Sequence, residues 1–546
     1  MRFIKWFEEV GTGDVSSVGG KNASLGEMIR NLGEKGVNVP SGFAVTAEAY
    51  RHLIQEAGIG EEIRDTLAGL DTHDMENLSA RGSKIRELIK NAECPKELEE
   101  ELRIAYRAME ERYGEKIDVA VRSSATAEDL PTASFAGQQE TYLNVRGEEK
   151  LVEKVMECFA SLFTNRAISY RVDKKFDHFS VYLSVGVQKM VRSDLACSGV
   201  MFSIDTESGF EDAAYITGAY GLGENVVQGT VNPDQFYVFK PTLKEGFRPI
   251  VDKKLGTKRK KLVYKEKGTG TKQERVTKEE RRRFVLTDDE VLMLARWACI
   301  IEEHYGTPMD IEWAKDGRTN ELFVVQARPE TVHSQKDVSS LETYVLEEDR
   351  ELLNGEGKLL VQGEAVGTKI GYGAVNVIES SKAIHEFKPG QVLVTTMTDP
   401  DWEPIMKIAS AIVTNRGGRT CHAAIISREL GIPCVIGTVK GTRVLKGVKD
   451  VTVDCSGGVG SIYAGKLNYR IDTLALDTLP RPQTRIMINA GVPENAFVNG
   501  QIPNDGVGLA REEFIINSYI GIHPLALIEY EDLKKRAEED KKIARV

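Results

Sequence analysis

The chain has 546 residues, 41 % of them hydrophobic and 28 % charged, which is more than one hydrophobic core can use and points to three or four domains at roughly 150 residues each. With 72 Lys and Arg against 83 Asp and Glu, the net charge of −11 disfavours generic nucleic-acid binding, which needs clustered positive charge to neutralise phosphates. No apolar run approaches the ~20 residues of a membrane span, the N-terminus lacks a signal-peptide core, and the scattered cysteines without a CxxC pair exclude a disulfide framework and suit a cytoplasmic protein.

In chain order, Gly19-Gly20-Lys21 opens a helix. A helix over 96–113 precedes a strand at 118–121, and Arg122 follows that strand. Residues 134–138 form a small-residue loop, ending in Gln138, that can approach phosphates. Strands are expected at 185–191 and 199–203. The basic run 253–283 reads as a solvated loop or hairpin, with an electropositive flap near a polyphosphate as the rival. A helix over 288–304 leads to neighbouring strands at 309–313 and 322–326. These put Glu312 and Gln326 on adjacent strands, with Arg328 on the face of Gln326. A carboxylate and an amide oxygen are hard ligands suited to Mg²⁺. There is no GxxxxGK[ST] and no GxGxxG, so neither a P-loop nor a Rossmann site is supported.

Residues 334–357 are polar and acidic and read as a linker. Residues 358–470 form a compact unit with short strands at 391–395, 411–414, 434–437 and 451–454. The proline-containing stretch 471–483 reads as a second, stiffer linker. The remainder, 484–546, opens with a strand at 485–489 and runs through 506–510 into a helix.

The most informative run is Thr414-Asn415-Arg416-Gly417-Gly418-Arg419-Thr420-Cys421-His422-Ala423-Ala424-Ile425-Ile426. A strand ends in two glycines, a helix begins near Thr420, and Gly431 with Pro433 stops it. His422 then lies in the first helical turn. Free N–H groups and the helix dipole favour an anion there and disfavour imidazolium. A neutral ring in that place can accept a phosphoryl group, and Thr420 can bond the other ring nitrogen. Cys421 reads as a small packing residue, since a free thiol near pKa ~8.5 is mostly protonated.

Together with the runs 19–28, 121–145, 187–203, 221–234, 309–313, 324–332, 398–405, 417–437 and 504–514, this segment resembles the pyruvate, water dikinase (phosphoenolpyruvate synthase) family. Its wider relatives are pyruvate phosphate dikinase and enzyme I of the sugar phosphotransferase system. The resemblance implies a multidomain α/β protein. An ATP-grasp nucleotide domain would occupy 1–333, a swivelling phosphohistidine domain 358–470, and the start of a (β/α)₈ barrel for phosphoenolpyruvate or pyruvate 484–546. It further implies that Lys21, Arg122, Gln138 and Arg328 hold the phosphates of ATP. Asp310, Glu312 and Gln326 would serve nucleotide and Mg²⁺, with Glu312 and Gln326 as the metal ligands. Gln188, Lys189, Met190 and Val191 would form the adenine-side hinge, and Glu224 would lie near the ribose. His422 would carry a pyrophosphoryl and then a phosphoryl group, with Thr420 and Arg328 assisting, AMP and phosphate as products, and Arg511 at the pyruvate end. A full barrel needs ~250 residues, so the chain is expected to stop inside it and to manage at most the ATP half-reaction alone. A homo-oligomer or a second chain completing the barrel is the expected macromolecular partner. The alternatives are a self-phosphorylating phosphocarrier acting with such a chain, a related dikinase with another acceptor, and a non-catalytic nucleotide-binding scaffold.

Overall fold

The computed structural model describes residues 1–72, 74–114, 117–126, 129–130, 133–134, 140–173, 175–265, 270–330, 340–399, 402–475, 480, 482–490, 493, 496–516 and 520–539. By contacts the chain divides into two units, one of residues 1–336 with 344–470, the other of residues 337–343 with 471–546.

The first unit holds two antiparallel sheets and a barrel. The five-stranded sheet runs Ile4–Trp6, Gly42–Val45, Leu183–Lys189, Val119–Ala125, Thr141–Val145. The six-stranded sheet runs Ile250–Lys254, Asp234–Phe239, Ala213–Tyr220, Cys197–Phe202, Met309–Lys315, Leu322–Pro329. Helices Met75–Asn91, Lys96–Tyr113 and Glu148–Ala160 bury their apolar faces on the first sheet, through residues such as Ile85, Tyr106 and Phe159. Helix Asp288–Tyr305 covers the second through Leu292, Ala295 and Trp297. Its start is set by a capping box: Thr287 and Glu290 exchange side-chain and backbone bonds, which satisfies otherwise unpaired N–H groups.

Helix Val15–Leu32 joins the two sheets. Asn22 is buried and donates to Val18 O (2.9 Å) and Ser184 Oγ (3.1 Å). Ser24 Oγ donates to Ala327 O of the second sheet (2.8 Å). The helix is kinked at Gly19, which has φ +75 and sits so close to strand Val119–Ala125 that a Cβ would lie 2.4 Å from Ser124 O. Only glycine tolerates both the left-handed backbone and that approach. Lys21 is thereby fixed where the sheets meet.

The barrel is closed by seven strands: Leu359–Val366, Cys434–Ile436, Ala411–Thr414, Val392–Thr395, Ile370–Val377, Asp450–Asp454, Val459–Ala464. Valines 361, 392, 394, 413, 435, 451 and 453 fill its core. The stretch expected to be a linker at 334–357 contains strand Ser340–Leu346 and helix Arg350–Gly355. Leu346 and Leu353 are buried against Ile370, Tyr463 and Leu467, so apolar anchoring overrides the polar composition. Part of that stretch, 331–339, lies outside the described residues, as does 476–479 of the second expected linker. Strand Tyr469–Ala475 occupies its beginning.

In the second unit, strands Ile488–Ala490 and Val507–Ala510 pair in parallel across helix Ala496–Gln501, which is a βαβ unit. Val507 and Leu509 are 57 % and 52 % exposed. Among the described residues, no helix is long and apolar enough to cross a membrane.

Gly19→Ala is expected to lower stability by about 3 kcal/mol or more. Gly33→Ala, where nothing lies within 4 Å of the new Cβ, is expected to change it by under about 0.5 kcal/mol. Urea unfolding of both variants checks the pair, and equal effects would contradict the wedge.

Candidate functional site

The register of two strands creates the first half of the site. Asp310 faces Arg328 and Glu312 faces Gln326 across Met309–Lys315 and Leu322–Pro329. Arg328 donates from Nε (3.0 Å) and Nη2 (2.8 Å) to Asp310 Oδ2. Burial lifts the Asp310 carboxyl above the usual range, against the pull of Arg328. Arg122, from the first sheet, donates to Val325 O (3.1 Å), and its buried Nε has no hydrogen-bond partner. Glu224, at the start of the short helix Glu224–Val227, has its carboxyl raised by burial, opposed by Arg122 and reinforced by Glu312 and Glu140. Arg122, Glu224, Asp310, Glu312, Gln326 and Arg328 are thus one cluster between the sheets, with Lys21 on the helix that joins them.

Register partners share a face, so the Glu312 carboxylate and Gln326 amide oxygen can grip one hard cation. No group of three or more His, Cys, Asp or Glu placed to hold a metal occurs among the described residues. This donor set fits Mg²⁺, which usually takes one or two carboxylates plus phosphates and water.

The hinge residues divide. Met190 and Val191 are buried, and the Met190 N–H donates to Asp118 O (3.0 Å). Lys189 lies over the Tyr113 ring, 4.7 Å from its centroid. The Gln188 side chain, expected to serve the nucleotide, instead donates to Pro40 O (3.2 Å) inside the protein, because the strand beside Gly42 buries it. Gln138 lies outside the described residues. Arg511 follows strand Val507–Ala510 in the second unit, and its N–H donates to Ala490 O (2.7 Å).

His422 is the first residue of helix His422–Leu430, which has Cys421 at its N-cap position without a side-chain capping bond and is ended by Gly431 in the left-handed conformation. Its Nδ1 lies 3.2 Å from Thr398 Oγ1. Its buried Nε2 has no hydrogen-bond partner. Burial, then the positive charge of Arg166, lowers its pKa to about 3. The hydroxyl at the ring is therefore Thr398's and not that of Thr420, whose buried Oγ1 is without a hydrogen bond. Thr420 precedes the helix by two residues. Cys421 is buried, packs on Gly229, and has its thiol pushed up by burial, an environment that suits the packing role read from the sequence.

An ionic network seats the His422 segment on the six-stranded sheet. Arg428 pairs with Glu207, which also accepts from Gly367 N (3.0 Å). Arg428 Nη1 donates to Arg419 O (2.6 Å). Arg419 donates to the Tyr237 hydroxyl (2.9 Å) and pairs with Glu364 (3.1 Å). Burial opposes ionisation of Glu207, but the Arg428 and Arg419 charges together hold its carboxyl below the usual range. Thr398, Arg166 and this network escaped sequence reasoning. Thr398 at least opens the run 398–405, which carried the resemblance, whereas nothing local marks Arg166.

Residues 15–348 match the family model "Pyruvate phosphate dikinase, AMP/ATP-binding domain", and residues 387–458 match "PEP-utilising enzyme, mobile domain". The chain is 59 % identical to a phosphoenolpyruvate synthase of Synechocystis over 97 % of its own length and 66 % of the relative's. It is 53 % identical to that of Aquifex aeolicus, covering 98 % and 63 %, and 51 % identical to that of Escherichia coli, covering 98 % and 67 %. The chain belongs to the phosphoenolpyruvate synthase family of PEP-utilising enzymes. It spans about two thirds of the length of these relatives.

The His422 ring is expected to stay neutral in the folded chain from pH 8 down to pH 5. Its folded pKa of about 3 lies below the unfolded ~6.5. Its contribution to stability is whole above pH 6.5 and is lost as pH falls towards 3. Ring chemical shifts followed by NMR check this, and a midpoint near 6.5 would contradict it. Glu207→Gln leaves Arg419 and Arg428 short of countercharge and is expected to cost about 3–5 kcal/mol. Glu207→Leu combined with Arg428→Met should recover most of that loss in a double-mutant cycle.

Proposed function

We propose that the chain performs the ATP half-reaction of phosphoenolpyruvate synthesis and relays the phosphoryl group from His422 towards pyruvate. The observation that carries this reading is His422 itself, a neutral imidazole at a helix N-terminus with Nε2 free. It is seated within the same folded unit as the cation-and-carboxylate cluster. The two sheets around that cluster support an ATP-grasp nucleotide domain, the barrel a swivelling phosphohistidine domain, and the βαβ unit the first part of a (β/α)₈ barrel.

In this reading Lys21, Arg122, Gln138 and Arg328 hold the phosphates of ATP, and Asp310 keeps the Arg328 fork oriented. Glu312 and Gln326 hold Mg²⁺, which when bound offsets phosphate charge during transfer. Met190 and Val191 line the adenine side with Lys189 beside them, Gln188 contributing backbone alone, and Glu224 faces the ribose. Thr398 accepts from Nδ1–H, which leaves the lone pair on Nε2. That lone pair attacks the β-phosphorus, the bond to the α,β-bridging oxygen breaks, and AMP leaves with the electron pair. Water then attacks the terminal phosphorus and releases phosphate. The remaining phosphoryl passes to the enol oxygen of pyruvate, held at Arg511, and His422 is restored. Thr420, beside the helix start, tunes the segment without touching the ring.

The exposed Val507 and Leu509 favour a second reading of the acceptor half: further polypeptide covers this strand pair and completes the pyruvate site, so that the described chain acts as the phosphocarrier.

A rapid-quench single turnover with Mg²⁺ and ATP, without pyruvate, tests the first half. One AMP per chain is expected, and Glu312→Gln should slow its formation at least about a hundredfold. Formation of ADP in place of AMP, or indifference to Glu312→Gln, would contradict the reading.

A further inference from the structure

Part of the basic run forms a hairpin, Lys260–Tyr264 with Thr271–Arg275, and several of its lysines have carboxylate partners within the protein. Lys261 pairs with Glu280 (3.4 Å) and Lys272 with Glu274 (3.0 Å). Lys258, just ahead of the hairpin, is fully buried against Asp234. What the hairpin turns inward is apolar. Leu262 and Tyr264, two residues apart and so on one face, are buried against Ala120, Met190 and Leu222.

The position of this patch is informative. Ala120 lies on the same strand face as Arg122, about 7 Å away at two residues' rise. Leu222 lies two residues before Glu224, whose carboxyl feels both Arg122 and Glu312. An apolar patch, a carboxylate and the basic side chains of Arg122 and Arg328 therefore follow one another, which is the order of base, ribose and phosphates in a nucleoside triphosphate.

The hairpin is tied to both sheets. On the second-sheet side, Leu222 N–H donates to Leu262 O (2.9 Å). Gly221 has φ +89, and a Cβ there would lie 2.5 Å from that same oxygen, so glycine is what lets the hairpin settle. Gln273 Nε2 donates to Asn225 Oδ1 (2.6 Å). On the first-sheet side, the Tyr264 ring lies under the guanidiniums of Arg192 (4.5 Å) and Arg146 (5.7 Å), contacts of the cation–π kind.

We propose that this hairpin is the base wall of the nucleotide site, with Leu262 facing the purine and Tyr264 pinning the strap. The proposal rests on the nucleotide reading above. The test is calorimetric titration of the full chain with Mg²⁺-ATP and with Mg²⁺-tripolyphosphate, which has no base. Leu262→Ala is expected to weaken ATP on the order of ten- to a hundredfold and to leave tripolyphosphate within about twofold. Equal weakening of both ligands, or of neither, would overturn the proposal. Leu262→Val, one carbon smaller, carries the same test if the alanine variant does not fold, with a few-fold effect on ATP alone. Failure of the underlying reading looks different: Lys21→Ala and Arg122→Ala would then leave tripolyphosphate binding unchanged.

Discussion

The neutrality of His422 is the condition on which the proposed chemistry depends. A protonated ring has no lone pair to offer, and a solvated one would be protonated part of the time near pH 7. Burial holds the pKa near 3, and Arg166 pushes in the same direction. Burial alone would leave a ring with two unpaired nitrogens. Thr398 takes one of them, Nδ1, and leaves Nε2 as the nitrogen that the proposed transfer would use. The helix N-terminus completes the arrangement, since it disfavours a cation at the ring and favours an anion attached to it.

In the proposed reading, His422 receives phosphate and has to be brought to the donor with its charge environment intact. The Arg419, Arg428, Glu207, Glu364 and Tyr237 network does this through buried ion pairs. Such pairs return little net stability, because desolvation offsets attraction, but they fix a register. That balance suits the proposed swivelling domain, which would dock here and also leave. The helix Val15–Leu32 plays the corresponding part around the proposed nucleotide cluster. By bonding one sheet through Asn22 and the other through Ser24, it sets the separation across which Arg122 reaches Val325 and across which Lys21 is presented.

Much of this was legible in the residues. The helix at 96–113 and the antiparallel strands around Glu312 and Gln326 follow from apolar period and turn signals. The start and stop of the His422 helix follow from its flanking glycines and Pro433. What could not be read depends on contacts between distant segments. Thr398 and Thr420 are equally plausible partners for a ring until the barrel brings one strand end beside the helix. The basic run carries no sign of which lysines meet Glu280 or Asp234, nor that Leu262 and Tyr264 face inward. The polar stretch after 340 hides a strand and a helix because two leucines suffice to anchor them. Gln188 is a reasonable ligand by type, yet its strand lies against Pro40 and the amide is used there.

The central claim is that His422 is the covalent carrier. The most direct measurement is incorporation of label from ATP labelled at the β-phosphate, with Mg²⁺, into this chain and into His422→Ala. The account predicts acid-labile, base-stable label on the wild-type chain alone. Equal label on both proteins, or none on a wild-type chain that still binds ATP, would contradict it.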